Sequence, residues 1–289
     1  MWANDTAGNT ANAVTVSFTI EVLPPTLLFL SPINTTYFSQ IPQININLDS
    51  PDLNIDKFWY RLYNETDGGW VDSTNITWTS PIQKTLGKGG VYTLYAWAND
   101  TLGCISSMIN ITFTMYHEII YSGNHVFTST FTVDTYQKVF FQNGEFSFTS
   151  GNLTVKGIVE MTNVTWTSDL TIDANSVINA IDVTMNNGLY IYGDSIASLS
   201  NVTLSDEVDL YDNSIVSLTD AIISDYIDIY DFVKLILINS SIYYLRSYEN
   251  SEVNITLCSL STALYCNDWS SVTVTTKLDK LGYLSTYAH

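Results

Sequence analysis

The sequence predicts an all-β chain in which a two-sheet sandwich is followed by a stack of short parallel strands. Three observations predict it. Residues 131–276 repeat themselves about every 19 residues, the apolar positions inside each repeat stand two apart, and no window carries sustained helical spacing.

In chain order, residues 1–22 read as the closing strand of a preceding domain. Met1-Trp2-Ala3-Asn4-Asp5-Thr6-Ala7-Gly8 recurs as Ala96-Trp97-Ala98-Asn99-Asp100-Thr101-Leu102-Gly103, and an alternating strand follows each copy, at 14–22 and at 108–115. The chain is therefore expected to be a piece of a longer tandem array, with any secretion signal and anchor outside it. Val14, Val16, Phe18, Ile20 and Val22 alternate along the first strand and need a partner sheet; without one the strand should pair with another surface or stay disordered. Residues 23–117 form the next domain. Pro24-Pro25 acts as linker, strands are expected at 26–30, 43–48, 57–63, 82–85, 91–98 and 108–115, and turns fall at 31–34, 67–69 and 87–90. About seven short strands at this spacing predict a two-sheet sandwich. No Cys–Trp–Cys pattern of the antibody type is present.

Specific runs in this domain carry a resemblance. They are Pro24-Pro25, then Ser31-Pro32-Ile33-Asn34-Thr35-Thr36-Tyr37, then Phe58-Trp59-Tyr60-Arg61-Leu62, and Gly90-Val91-Tyr92-Thr93-Leu94-Tyr95 leading into Ala96-Trp97-Ala98-Asn99-Asp100-Thr101. They resemble the tandem Ig-like domains of archaeal and bacterial cell-surface proteins. In that family the last motif closes with Ala-Gly-Asn, kept as Ala7-Gly8-Asn9 in the first copy and replaced by Leu102-Gly103-Cys104 in the second. The resemblance covers roughly a third of the chain, and the downstream half is similar to solenoid regions of such proteins by period alone. It implies an Ig-like β-sandwich and an extracellular, modular, largely non-enzymatic role, and it transfers no binding residue.

Residues 118–130 read as a junction or cap, 131–276 as the repeat, and 277–289 as a tail or the start of a further coil. Segments beginning at Gly151, Leu170, Leu189, Val208, Ile227, Leu245 and Leu264 superimpose with at most one residue of slip, and a looser copy begins at Phe131. With each repeat numbered from 1 to 19, position 1 reads Leu170, Leu189, Val208, Ile227, Leu245, Leu264, and position 3 runs from Leu153 and Ile172 to Ser247 and Cys266. Position 9 runs from Val139 to Val272, position 11 from Phe141 to Val274 through Leu199, Leu218 and Leu237, and position 16 from Phe146 to Leu260. One coil cannot bury such a face, whereas coils stacked about 4.8 Å apart can, and eight would stand roughly 38 Å tall. That object is a single-stranded parallel β-helix. The competing reading is an antiparallel sandwich with accidental regularity; a register kept through five coils with few insertions argues against it.

Composition bounds function. The chain carries 29 acidic and only 10 basic residues, a net charge of −19, so it is depleted of cations rather than enriched in acid. Nucleic-acid binding, which needs Lys and Arg at phosphates, is not expected. Cys104, Cys258 and Cys266 are too few for a disulfide scaffold, although Cys258 and Cys266 fall on neighbouring coils. His117, His125 and His289 read as solvated loop residues rather than metal ligands. No membrane span is expected, since no apolar run reaches the required length.

Eleven Asn-x-Ser/Thr sequons occur, against about six expected from composition. Asn4, Asn34, Asn64, Asn75, Asn99, Asn110, Asn152 and Asn254 are glycosylation candidates, and the excess predicts an extracellular or cell-surface address. Asn163, Asn201 and Asn239 share position 13 with Asn143, Asp182 and Asp220, so either glycans or a stacked amide ladder at a coil turn fits them. Tyr192, Tyr211, Tyr230 and Tyr248 share position 4 and should form an outward aromatic stripe, either a stiffening ladder or a platform for sugars. Asp209 should stack over Asp228 and Asp212 over Asp231. These four could hold Ca²⁺ or run glycoside chemistry, and otherwise make a solvated acidic face.

Catalysis is not expected, because the coils lack long inserted loops and only Lys156, Lys234 and Arg246 are cationic between 151 and 276. No cofactor is expected beyond that Ca²⁺. The sequence thus predicts a structural or adhesive surface protein (stalk, sheath or envelope component) whose partners are other copies of itself, other surface proteins or glycans. The rival is a carbohydrate-binding or polysaccharide-degrading solenoid.

Overall fold

The protein is described from a computed structural model covering residues 23–266 and 270–274, the backbone of 281–286, and isolated Thr6, Ala7 and Ser17. The expected strand at 14–22, the Asn4 sequon and His289 lie outside the described residues. These contain strands and no α-helix, and therefore no helix long and apolar enough to cross a membrane. They divide into two compact units, one of residues 1–34, 45–83 and 93–112, the other of 35–44, 84–92 and 113–289.

The first unit is built from antiparallel pairs. Leu28–Ser31 pairs with the strand Gln43–Asp49, matching Leu28 to Asp49. Ile55–Asn64 pairs with Gly69–Trp70 and Ile76–Trp78, two short strands whose sequence carries no alternation to announce them. Alternate residues Leu94, Ala96 and Ala98 are fully buried, and Asp100 closes the motif by accepting the backbone N–H groups of Leu102 at 2.9 Å and Cys104 at 2.8 Å. The Ala-x-Ala-x-Asp spacing is thus an inward face followed by a carboxylate-capped turn.

The second unit is a parallel β-solenoid of about eight turns, with coils of about 19 residues. Leu199, Leu218 and Leu237 are consecutive partners in the ladder, as the period requires. Positions 9, 11 and 16 stack without interruption from Val139, Phe141 and Phe146 onward, and nearly every member is buried. Two buried columns were not anticipated. Position 14 carries Val164, Val183, Val202, Ala221, Ser240 and Cys258, and position 7 carries Ser176, Ser195, Ser214, Val233 and Ser251. Buried serines are tolerated where the hydroxyl returns to the backbone: Ser176 donates to the Val155 carbonyl at 2.6 Å and Ser195 to that of Tyr192 at 2.7 Å.

Three expectations need correction. Gly151 does not open a coil in register with Leu170; Leu153 pairs with Leu170 and Val155 with Ile172. A longer turn before Leu153 is offset by a shorter one after Val155, which is why the later columns still align. The stack also starts earlier than 131. Ile109–Ser122 runs on past the expected end of the sandwich, and His117 to Ser122 pair with Gln137 to Gln142, so 118–130 belongs to the first turn rather than to a separate junction. Finally, Thr36–Ser39 lies parallel to the same strand, matching Thr36 to Thr114 and Ser39 to His117, a contact between residues too distant in sequence for any local pattern to reveal. At the other end Leu281–Thr286 pairs with Ser259–Cys266, so the tail contributes a further strand.

Turn chemistry explains the polar columns. Position 13 is left-handed at Asn143, Asn163, Asp182, Asn201, Asp220 and Asn239, with φ between 49° and 57°. Asn and Asp occupy that conformation most readily among residues with a Cβ. The amides also link coils: Asn163 donates to Asn143 at 3.1 Å, Asn201 to Asp182 at 2.6 Å, and Asn239 to Asp220 at 2.5 Å. Asn201→Ala should therefore cost about 1–2 kcal/mol through the left-handed backbone alone. Asn201→Gly should cost less, a difference that urea unfolding of the two variants would read.

Candidate functional site

The densest set of titratable side chains lies on the outward side of the short strands containing positions 1 to 3. Tyr190, Asp209, Asp228 and Arg246 occupy position 2 of four successive coils and are ladder partners in that order. Their neighbours at positions 1 and 3 are buried, so position 2 faces outward by strand alternation. Position 19 adds Glu207, Tyr226 and Tyr244 on one flank, and position 4 adds the four expected tyrosines on the other.

The predicted stack of Asp209 over Asp228 is present, and the register adds a partner that the sequence reading passed over. Arg246 stands directly over Asp228 and donates from Nε and Nη2 to its two carboxylate oxygens. Its guanidinium also lies 4.6 Å from the Tyr226 ring centroid. Asp228 is 4% exposed, and Tyr230 donates to it at 3.3 Å. Asp209 receives the Tyr211 hydroxyl at 3.3 Å, while its other oxygen is buried without a hydrogen bond among the described residues. Glu207 accepts the hydroxyls of both Tyr190 and Tyr226.

Electrostatics follow from these contacts. Burial, then the charges of Asp228 and Glu207, hold the Asp209 carboxyl above the usual aspartate range. Burial also raises Asp228, against the opposing pull of Arg246. The two tyrosine hydroxyls hold Glu207 below its ordinary range. Tyr230 is pushed up to about 12 by burial and by Asp228. Asp209, with its carboxyl raised, therefore stands beside a carboxylate that is already ion-paired.

The tyrosine stripe is a tight stack. Tyr192, Tyr211, Tyr230 and Tyr248 follow one another at 4.8, 4.9 and 5.1 Å between centroids, with planes within 6° of parallel. Each inner ring has both faces covered by its neighbours, which leaves only ring edges for a ligand. The faces on which a sugar would pack are thus covered at Tyr211 and Tyr230, the arrangement of a stacked ladder.

Asp212 and Asp231 do not join Asp209 and Asp228. They sit at position 5, in left-handed turns with φ of 61° and 58°. The Asp212 carboxylate accepts the N–H of Gly193 at 2.9 Å, and that of Asp231 accepts the N–H of Asp212 at 3.4 Å. The four acids are thus two separate columns, and among the described residues no group of three or more His, Cys, Asp or Glu is arranged to hold a metal ion.

The sequons differ in access. Asn34, Asn75, Asn110, Asn163, Asn201 and Asn239 are exposed, and Asn99, Asn152 and Asn254 are partly covered. Asn64 is only 6% exposed, with its amide donated to Asp67 at 2.9 Å. The position-13 asparagines therefore combine a ladder with exposure, an arrangement the sequence reading treated as alternatives. His117 lies on the first coil strand, and His125 stacks on Phe146 at 5.5 Å. Cys104, Cys258 and Cys266 are free thiols. A depression of about 230 Å³ is lined by Asn239, Ser240, Ser241, Leu257, Cys258 and Ser259. Burial raises the Cys258 thiol, which disfavours its reactive thiolate form.

Comparison with known proteins adds little to this geometry. No protein-family profile matches the chain, and no curated protein matches it in sequence. Among solved structures, a pectate lyase of Pectobacterium carotovorum aligns over 78% of this chain and 85% of its own, at 10% identity and a TM-score of 0.27. A pectate lyase of Erwinia chrysanthemi, solved with tetragalacturonic acid, aligns over 82% and 84% at 8% identity and a TM-score of 0.22. An engineered protein aligns over 32% of this chain and 20% of its own length, at 16% identity and a TM-score of 0.24. The chain is similar to these solved structures at that level only, and its own strand register establishes the parallel β-solenoid.

Proposed function

We propose that the chain is a structural or adhesive component of an extracellular surface, in which an Ig-like β-sandwich precedes a rigid solenoid. The observation that carries this reading is the closure of the outward columns. Asp228 is neutralised by Arg246, Glu207 is taken by two tyrosines, the turn acids accept backbone N–H groups, and the tyrosine faces cover one another. Side chains so committed between coils stiffen a stack and leave few groups free for a substrate. The sandwich reading draws on the antiparallel pairs of the first unit and on the resemblance of its motifs. The extracellular reading draws on the sequon excess and the scarcity of Lys and Arg.

The test is a glycan map of protein recovered from its native source. Glycans are expected on Asn34, Asn75 and Asn110 and not on Asn64; a protein wholly without glycans would remove the main support for the address. A second reading, a polysaccharide-degrading or carbohydrate-binding solenoid, is favoured by the raised Asp209 carboxyl beside Asp228. Cleavage of polygalacturonate or cell-wall glycans that is lost in Asp209→Asn would put that reading first.

A further inference from the structure

The first unit turns a set of aromatic side chains to solvent, and two exposed sequons stand at the ends of one row of it. On Ile55–Asn64 the alternate residues Tyr60 and Leu62 are buried, so Trp59, Arg61 and Tyr63 point the other way. On Gly90–Asp100 Leu94, Ala96 and Ala98 are buried, so Tyr95 and Trp97 point outward. Trp59 meets Trp97 at 6.5 Å between centroids, which puts both sets on one face. Trp70 lies flat across that face. One side of its ring rests on the Arg61 guanidinium, 3.9 Å from the centroid, and Tyr63 and Tyr95 flank it at 5.1 and 5.5 Å. Arg61 is held beneath it by the carbonyls of Asp72 and Ser73, each accepting at 3.2 Å. The other side of the indole faces out, and Trp70 is 45% exposed.

Register fixes what stands at either end. Trp59 pairs with Thr77 and Tyr60 with Ile76, so Asn75 continues that ladder toward Arg61, on the same outward side as Thr77. Across the sheet, Asn99 bridges Ile105 in the antiparallel sense, and the hydroxyls of Thr93 and Thr112 meet at 2.9 Å. Counted between those points, Tyr95 falls beside Asn110, which is exposed. One row across the sheet therefore reads Asn75, Arg61 beneath Trp70, Tyr95, Asn110. Three strand spacings of about 4.8 Å make it about 14 Å long. Both end residues open a sequon, Asn75-Ile76-Thr77 and Asn110-Ile111-Thr112. Asn99 shares the face but holds its amide on Asp56 at 3.1 Å.

A bare aromatic patch of this kind marks a contact surface or an aggregation hazard. We infer that its occupant is the chain's own N-linked glycan: the innermost sugars on Asn75 and Asn110 fold back onto the rings of Trp70 and Tyr95. A pyranose suits the surface, because it lays a face of C–H groups on an aromatic ring while its rim of hydroxyls stays in water. Attachment at the ends of the row makes the contact intramolecular, so a weak stacking interaction is enough to populate it. The same attachment disfavours a second copy or another protein as occupant, since bulky hydrated chains at both ends hold a flat partner off the rings. This seat presupposes the glycosylated, extracellular address proposed above and adds what the glycans do there, which is to cover the outer face of the sandwich.

Proton NMR of the full glycoprotein from its native source tests it. The innermost-sugar protons at Asn75 and Asn110 should be shifted upfield by the aromatic ring currents, relative to those at Asn34, which lies outside this face. Trp70→Ser should collapse the shift at Asn75 with glycan occupancy and circular dichroism unchanged, since Trp70 is a surface side chain. Stability gives a second readout. Asn110→Gln should lower the folding constant roughly two- to tenfold in the wild-type background and much less when Trp70→Ser and Tyr95→Ser are already present. Sugar protons that resonate alike at all three sites, or equal losses in the two backgrounds, would overturn the inference and leave the address standing. So would a glycan on Asn34 with Asn75 and Asn110 both bare. A protein without any glycan would overturn the seat and the address together.

Discussion

Replacing Arg246 with Met should destabilise the solenoid by about 3–5 kcal/mol at neutral pH, because it leaves a buried carboxylate without its partner. Asp228 is 4% exposed, and once the guanidinium is gone the Tyr230 hydroxyl at 3.3 Å is its one remaining described hydrogen bond. The methionine keeps much of the apolar stem, so the loss reads the charge rather than the packing. Its sign with pH is fixed. Burial already raises Asp228 above the usual aspartate range, and Arg246 opposes that rise. In Arg246→Met the folded carboxyl climbs further and the unfolded one does not. A group raised in the folded state favours folding when protonated, so the deficit should be smallest in acid and grow as pH rises through the raised folded value. Urea midpoints of both proteins from neutral to acidic pH check this; a deficit independent of pH would show that the ion pair is not its origin. Adding Asp228→Asn should remove most of the deficit.

Trp166→Ala should cost a similar amount, about 3–5 kcal/mol, by opening a cavity. Trp166 is the largest fully buried side chain, and its ring packs on Phe141 at 5.3 Å, Phe148 at 5.9 Å and Phe146 at 6.1 Å. Coils touch only their neighbours, so the hole weakens two coil interfaces, with no lateral layer to collapse into it. Trp166→Phe should be much milder. It keeps most of the aromatic volume and removes an indole N–H that is buried without a partner among the described residues. Chemical denaturation of the two variants side by side separates these terms; equal losses would contradict the cavity account.

The solenoid core was legible where a column is uniformly apolar. Positions 9, 11 and 16 could be read because aliphatic and aromatic residues recur at a fixed period, and burial is what such recurrence means. Position 7 was not legible, because serine is ordinarily an outside residue; Ser176 and Ser195 lie inside with the hydroxyl returned to a backbone carbonyl, and Ser214 lies inside with no hydrogen bond among the described residues. The Tyr192 to Tyr248 column and the Asp209–Asp228 pair followed from the same register. So did Arg246 over Asp228, since Arg246 is one residue past Leu245 as Asp228 is one past Ile227; the signal was present and unused. Asp212 and Asp231 were grouped with Asp209 and Asp228, with a solvated acidic face, Ca²⁺ and glycoside chemistry as alternatives, when their composition is set by backbone conformation: a left-handed turn favours Asp and Asn whether or not a cation is near. The pairing of Thr36–Ser39 with Thr114 to His117 lay beyond any local pattern.

The four tyrosines of position 4 have an optical consequence. Parallel chromophores about 5 Å apart couple strongly in the ultraviolet, so the column should give near-ultraviolet circular dichroism unlike that of isolated phenols. Slippage between any two of these coils would split the coupled set. The chain therefore carries a built-in spectroscopic reporter of whether its turns are aligned, readable without a label.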